Sequence, residues 1–331
     1  MPADAIGLDI GGANLKAATS GGRALSRPFA LWKHPERLPD ELAAIAAELR
    51  PAGPVAVTMT GELCDCFETK RDGVRHILAA VGHVFLPARA RVWSTAGRFL
   101  TLEEGAERPL QVAAANWHAE ATYVGRFAPA GFALLIDTGS TTTDVIPLRD
   151  GRPAPRGRTD PERLRTGELI YTGVRRTPVC AVLGPTVMAE LFATMLDVYV
   201  HLRELPEEPD NRDTADGRPI TVRQAHGRLS RMLGGDPEIT PEAETLALAR
   251  SARRIQVATI ARSVIRLCAR DLPGTVAVSG SGEFLARAAL HSVGWDDETP
   301  RVVALSDVWG PDLSVAACAY AVAKLAEEAN G

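Results

Sequence analysis

Two aspartates, each closing a short apolar run and leading into a glycine turn, are the residues of this sequence best placed to do chemistry. Asp9 follows Ile6-Gly7-Leu8 and precedes Gly11-Gly12; Asp137 follows Phe132–Ile136 and precedes Gly139. A glycine turn after a buried strand lets backbone N–H groups converge on an anion with no Cβ in the way. A carboxylate at the strand end can hold Mg²⁺, which prefers carboxylate, water and phosphate oxygens. The two units predict phosphate sites, one with Gly11, Gly12 and Asn14, the other with Thr138, Gly139, Ser140, Thr141 and Thr142, to which the Thr143 hydroxyl adds a donor. Asp9, Asp137 and Asp144 are the expected metal ligands. A third turn, Ser279-Gly280-Ser281-Gly282, opens a helix whose N-terminus favours an anion or a nucleotide edge. One strand–Asp–Gly hairpin would be an ordinary turn. Two in equivalent places, with a third before a late helix, argue for a shared phosphate site.

The elements that carry these turns follow from periodicity. Ala5–Thr19 reads as a β-hairpin around Gly11-Gly12, Asp40–Leu49 as a helix ended by Pro51, and Val55–Met59 as a buried strand leading into Thr60-Gly61-Glu62. Helical spacing covers Thr69–Val81 and Pro109–Arg126, the latter rich in alanine. Near residue 130 the pattern restarts: strand, Asp137, glycine turn, returning strand Asp144–Leu148. This is an internal repeat of the N-terminal arrangement. Arg203–Pro219 is acidic and proline-bearing and reads as a loop. A helical region from Pro241 to about Asp271 follows, then strand Val276–Val278, the third turn, a helix from Glu283, and an alanine-rich helix over 311–328. The expected division is 1–128 with the first phosphate loop and 129–331 with the second. The latter half carries a helical insertion at about 186–271, an adenosine-type loop at 279–283 and the last helix crossing back to the hinge.

Composition sets the outer bounds. At 331 residues, with 46% hydrophobic and 24% charged residues, the chain is an ordinary globular one of about two domains. Its 37 basic and 41 acidic side chains give a net charge of −4, and only 5% are aromatic, which argues against a nucleic-acid partner. No run approaches the length of a membrane helix. Five scattered cysteines, Cys64, Cys66, Cys180, Cys268 and Cys318, fit a reducing compartment and hence the cytoplasm. Cys64-Asp-Cys66 finds no matching Cys or His pair at zinc spacing, so the thiols do not read as a metal site.

With these residues in hand, DIGGANLKAA, IDTGSTTTDVIPL and SGSGEFLA together resemble the two phosphate loops and the adenosine loop of the actin, sugar-kinase and heat-shock-chaperone superfamily. Within it the sequence resembles the hydantoinase A/oxoprolinase branch. VTMTGELCDCFETKRDGV, WSTAGRFL, AANWHA, RLRTGELIYTGVRRTPV, DTADGRP and TVRQAHGRLSRMLG narrow the likeness to tetrahydromethanopterin-linked one-carbon-pathway proteins, which include a methanofuran-biosynthesis synthase. The resemblance spans about Ile6 to Leu325. It implies an α/β, two-lobed, actin-like (ribonuclease H-like) ATPase fold with a central interlobe cleft, and alanine-rich crossing helices between the lobes.

It also implies a reaction in which a phenol oxygen attacks a furanylmethyl carbon and diphosphate leaves. The expected partners are therefore a furan diphosphate and a γ-glutamyltyramine-like acceptor, with Mg²⁺ as cofactor and ATP or ADP as a further possibility. On this reading Lys16 either neutralises departing charge or faces away on its strand. Glu62 is the first candidate for the base that activates the phenol, with Asp65, Glu68 and Glu168 behind it. Lys70, Arg71, Arg165, Arg175 and Arg176 are candidates for phosphate or carboxylate contacts, though each alone reads as a surface charge. Asn116 could touch substrate, while Trp117 and His118 beside it read as packed residues. Asp213-Thr-Ala-Asp216 has the D-x-x-D spacing with which some transferases hold Mg-diphosphate, in a loop where solvation is the simpler use. Two other classes share every glycine loop: an ATP-dependent kinase or oxoprolinase-like hydrolase, and a non-enzymatic, nucleotide-switched actin-like protein.

Overall fold

The computed structural model describes residues 4–295 and 300–329, so the outermost residues of both expected halves lie outside the described part. Twelve strands among the described residues form two sheets. The first holds β1 (Ile6–Ile10), β2 (Asn14–Thr19), β3 (Ala24–Pro28), β4 (Val55–Met59), β5 (Ala90–Trp93) and β6 (Phe99–Thr101), in the order β3-β2-β1-β4-β5-β6. The second holds β7 (Phe132–Thr138), β8 (Thr143–Arg149), β9 (Arg152–Pro153), β10 (Leu169–Ile170), β11 (Thr275–Ser279) and β12 (Arg301–Ala304). Its order is β10-β8-β7-β11-β12, with β9 on β8.

The two sheets repeat one plan. β1 pairs antiparallel with β2 and parallel with β4, which is parallel to β5. β7 pairs antiparallel with β8 and parallel with β11, which is parallel to β12. The hairpins β1–β2 and β7–β8 thus lie at the middle of their sheets, each with its Asp–Gly turn at the same end. Parallel central strands are covered on both faces, and the sequence shows this directly: all five residues of β1 and of β4 are buried.

Helices Leu38–Leu49 and Lys70–Val84 cover one face of the first sheet through Leu42, Ile45, Val74 and Ile77. On its other face lie Asn116–Val124 and Ala317–Ala329, where Ala115, Ala119, Val322 and Leu325 meet Ala56 and Trp93. Helix Asn116–Val124 also presents Trp117, Ala121 and Val124 to the β7, β8 and β11 side chains, so it is shared by both sheets. Gly7 allows the terminal helix onto β1: a Cβ there would overlap the Ala319 carbonyl oxygen and stand 2.8 Å from Ala323 N. The long helix Glu242–Leu267 and helix Glu283–Ser292 cover the outer face of the second sheet through Val264, Leu267, Ala286 and Leu290.

Two expected helices are broken. Pro109–Val112 stops at Ala113, and Asn116 starts a new helix after Ala114 adopts φ +46°. Pro311–Val315 likewise ends at Ala316 before Ala317–Ala329 begins. Alanine is the best helix former, so nothing local marks either break; packing between two sheets sets them. Strands β3, β5, β6 and β12 and helix Asp160–Thr166 show no readable period, whereas helices Met195–His201 and Val222–Met232 lie within the helical insertion expected at about 186–271. The former are too short for one. Among the described residues no helix is long and apolar enough to cross a membrane.

Candidate functional site

Asp9 on β1 stands directly opposite Lys16 on β2. Opposed residues of an antiparallel pair share a face, so Lys16 points toward Asp9 and does not turn away. Burial lifts the Asp9 carboxyl above the usual range, against the pull of Lys16. Its Oδ1 is buried with no hydrogen-bond partner. Burial also raises Asp137, again opposed by Lys16, and Asp9 adds to the rise. One lysine therefore serves carboxylates from both sheets.

The first two glycine turns present free donors. Gly11 N donates to Asn14 O at 3.0 Å and Gly139 N to Thr142 O at 2.9 Å, which closes each turn. Among the described residues, the backbone N–H groups of Gly12, Ala13, Ser140 and Thr141 make no hydrogen bond, and all four residues are half-buried. A half-buried nest of unpaired N–H groups suits an anion. The second turn is clasped from behind: Val174 N donates to Gly139 O, and Arg175 N and Arg176 N donate to Ser140 O at 3.1 and 2.9 Å. Gly173 permits this, since a Cβ would lie 2.5 Å from Thr141 N.

The third turn has two of its backbone donors engaged. Gly280 N is committed to Ser314 O, and Gly282 N to Thr138 O at 2.8 Å. Gly280 sits at φ +88°, and a Cβ would stand 2.5 Å from Asp137 Oδ1. The half-buried Ser281 lies between them, and Glu283 at the helix start is taken up by Ser306 N at 3.0 Å. This turn fastens β11 against the end of β7.

Glu62 follows β4 on the short 3₁₀ turn Gly61–Leu63, packed behind the first glycine turn. It is 1% exposed, and its Oε2 has no partner. Burial pushes its pKa up to about 7, although Lys70 Nζ lies 3.8 Å from Oε1. Lys70 is held more closely by Asp160, at 2.6 Å. Lys70 comes from a helix on the first sheet and Asp160 from a helix beside the second, so the pair ties the two. Glu62 thus has the placement and affinity of a group that takes a proton near neutral pH.

Other expected ligands turn out to be engaged. Asp144, opposite Asp137 across β7–β8, is bound at 2.9 Å by the buried Arg163, whose guanidinium also lies 4.0 Å from the Trp117 ring centre. Burial raises Asp144 to about 6 against that pairing. Its charge is already answered, which removes it as a free metal ligand. Glu168 is fully buried and accepts from Arg156 N, Gly157 N and Thr166 Oγ1, so it caps a loop and is no base. Asp216 is consumed by Arg228 at 2.9 Å and by Thr214 and Arg218 N, while Asp213 is exposed; the D-x-x-D pair is a structural knot. Arg165, Arg71, Asp65 and Glu68 are exposed. Arg175 is bonded doubly to Glu208, at 2.7 and 3.1 Å, and Arg176 stacks on Trp32. Their backbones, more than their charges, serve the second turn.

Sequence reasoning missed the acid at the centre. Glu120, fully buried on the shared helix, accepts from Ser279 Oγ at 2.5 Å and from Cys318 Sγ at 3.2 Å; Ser279 Oγ also lies 3.1 Å from Asp137 Oδ1. Ligand atoms of Glu120, Asp137 and Cys318 lie within 4.8 Å of one another. Burial, reinforced by Asp137, raises Glu120 well above its ordinary value. Asn116 Nδ2 completes the cluster at 3.6 Å from Cys318 Sγ. The signal was present: a lone carboxylate on the apolar face of an alanine-rich helix.

A central β1–β2 hairpin beside parallel β4 and β5, repeated as β7–β8 beside β11 and β12, with the two Asp–Gly turns as equivalents, defines the duplicated actin-like α/β fold. The hydantoinase/oxoprolinase family model matches residues 54–329. The chain belongs to that family. It is 31% identical, over 98% of its length and 97% of the relative's, to (4-{4-[2-(gamma-L-glutamylamino)ethyl]phenoxymethyl}furan-2-yl)methanamine synthase of Methanocaldococcus jannaschii. It is 30% identical to the same-named protein of Methanococcus vannielii, over 58% of this chain and 89% of that one. Among solved structures it is similar to a ROK family glucokinase from Streptomyces griseus in complex with glucose and AMPPNP, at 18% identity and a TM-score of 0.45 over 98% of this chain and 99% of that chain.

Proposed function

We propose that this protein is a transferase of methanofuran-type cofactor biosynthesis, serving tetrahydromethanopterin-linked one-carbon metabolism. It joins a furanylmethyl diphosphate to the phenol oxygen of a γ-glutamyltyramine-like or tyrosine-like acceptor. The observation that carries this is the 31% identity, nearly end to end, to the synthase of Methanocaldococcus jannaschii. In the reaction a bond forms between the phenol oxygen and the furanylmethyl carbon. The bond from that carbon to the diphosphate oxygen breaks, the leaving group keeps the electron pair, and the phenol proton passes to a base.

The residues divide the work accordingly. The unpaired N–H groups of Gly12, Ala13, Ser140 and Thr141 hold the diphosphate, with the hydroxyls of Ser140, Thr141 and Thr142 beside them. Lys16 offsets the charge of the departing group. Glu62, with a pKa of about 7, takes the phenol proton, and Lys70, 3.8 Å from it, favours its ionised form. The orphaned Asp9 Oδ1 and the raised Asp137 carboxyl fit a divalent cation; Mg²⁺ there would supply charge neutralisation at the diphosphate.

The test is a coupling assay with aminomethylfuran diphosphate and γ-glutamyltyramine in Mg²⁺ buffer, read by mass spectrometry. The ether product and free diphosphate are expected. Folded protein that forms no ether with either tyramine- or tyrosine-based acceptors overturns the proposal. ATP consumption with a small acceptor and no furan diphosphate would replace it with an ATP-dependent kinase or hydrolase on the same loops.

A further inference from the structure

Among the described residues, Lys70 is the cation paired with Glu62, and the pairing is loose. Its Nζ stands 3.8 Å from Glu62 Oε1 but 2.6 Å from Asp160 Oδ2. The backbone does not impose this distance. Lys70 opens helix Lys70–Val84, and Gly73 in its first turn lies against the Glu62 backbone, where a Cβ would stand 2.7 Å from Glu62 Cα. The helix is thus seated on the very residue its lysine faces, and the lysine side chain alone moves between the two carboxylates. A cation in the first turn of a helix is set against the helix dipole, so Lys70 gains nothing from its own helix and rests on those partners.

Asp160 is the fixed partner. It opens helix Asp160–Thr166 after a capping box of Thr159 and Glu162. The buried Arg163 anchors that helix, bound at 2.9 Å to Asp144, which stands opposite Asp137 across β7–β8. The position of Asp160 is therefore set by the strands that carry the second glycine turn. The charges that bear on the Glu62 carboxyl come from three elements. Burial raises its pKa most; Lys70 opposes, and Asp160 and, from β1, Asp9 add to the rise.

We propose that Asp160 is a positioning residue for Glu62: by holding Lys70 at its own carboxylate, it keeps the ammonium from closing on Glu62 and leaves that base able to accept a proton. The use of this device in catalysis rests on the transferase reading, in which Glu62 takes the phenol proton. Without Asp160 the ammonium is free to close from 3.8 Å to an ordinary ion-pair distance of about 2.8 Å. At an effective dielectric of about 20, that step lowers the Glu62 midpoint by about one pH unit. Loss of the Asp160 charge acts in the same direction, and loss of Lys70 in the opposite one. The base sits on the first sheet, and its strength depends on a carboxylate beside the second.

A carboxyl-carbon NMR titration of the full, ligand-free chain, labelled with carbon-13 at the glutamate δ-carbon, tests this without substrate. The Glu62 signal is the one that Glu62→Gln removes, and its wild-type midpoint is expected at about 7. Asp160→Asn should lower that midpoint by about one unit, and Lys70→Met should raise it by about as much. Asp160→Glu, which keeps the charge, should return it toward wild type, all with unchanged circular dichroism. The pH at which coupling is half-maximal should move with these midpoints. A midpoint unmoved in Asp160→Asn, or moved the same way in Asp160→Asn and Lys70→Met, would overturn the assignment. Midpoints that move as expected in protein that forms no ether support the positioning and refute the transferase reading alone.

Discussion

Replacing Glu62 with glutamine should stabilise the protein above neutral pH while removing its ability to take a proton from the acceptor. The carboxyl is held at about 7 against an ordinary 4.5, chiefly by burial. That shift is worth about 3 kcal/mol, and the attraction of Lys70 is already contained in it. Because the folded pKa is raised, the contribution of Glu62 to stability is fully present below about pH 4.5. It is lost as pH rises through 7. Glutamine keeps the shape, cannot ionise, and leaves Lys70 its closer partner Asp160. Thermal unfolding of both proteins across this range should show near-equal melting at about pH 4.5 and an advantage of roughly 4 °C for Glu62→Gln at about pH 8. Coupling by the wild type should rise with pH through about 7, and the variant should be about 100-fold or more slower at about pH 8 and lack that rise. A melting difference that does not change with pH, or a variant less stable than wild type at pH 8, would refute the account of a buried, strained carboxylate.

Three further outcomes follow from the packing. Asp9→Asn and Asp137→Asn should each lower coupling by about 100-fold or more while the protein stays folded, as measured by turnover and circular dichroism. Gly7→Ala should cost about 3 kcal/mol in urea unfolding, because the new methyl overlaps the Ala319 carbonyl of the terminal helix. Arg228→Met should cost about 3–5 kcal/mol, since it strands the buried Asp197, now bonded at 2.7 Å, without a cation.

The parts of the site legible in the sequence are those made by neighbours along the chain. Asp9 with Gly11-Gly12, and Asp137 with Gly139, are strand-to-turn units whose geometry is set within a few residues. Their repetition showed the duplicated plan before any sheet order was known. Glu62 was found because it follows a buried strand. Asp144 as a metal ligand, Glu168 as a reserve base and Asp213 with Asp216 as a less favoured metal pair were carboxylates the sequence offered as well. What separates them is whether a distant partner has claimed them: Arg163 in the first case, the Arg156–Gly157 backbone in the second, Arg228 in the last.

The sequence by itself determined the glycine turns, the aspartates at their mouths, the acidic irregular stretch at 203–219 and the α/β duplication. These depend on local sterics and on the two-residue period of strands. Only the tertiary structure decided that Lys16 faces Asp9, that the Gly280 and Gly282 N–H groups are taken up by Ser314 O and Thr138 O, and that Glu120, Ser279 and Cys318 meet from three separate elements. Charge, burial and hydrogen-bond satisfaction are properties of residues brought together from 100 or more positions apart in sequence, as Glu120 and Ser279 are. Pairing across that distance leaves no mark on the spacing of either residue.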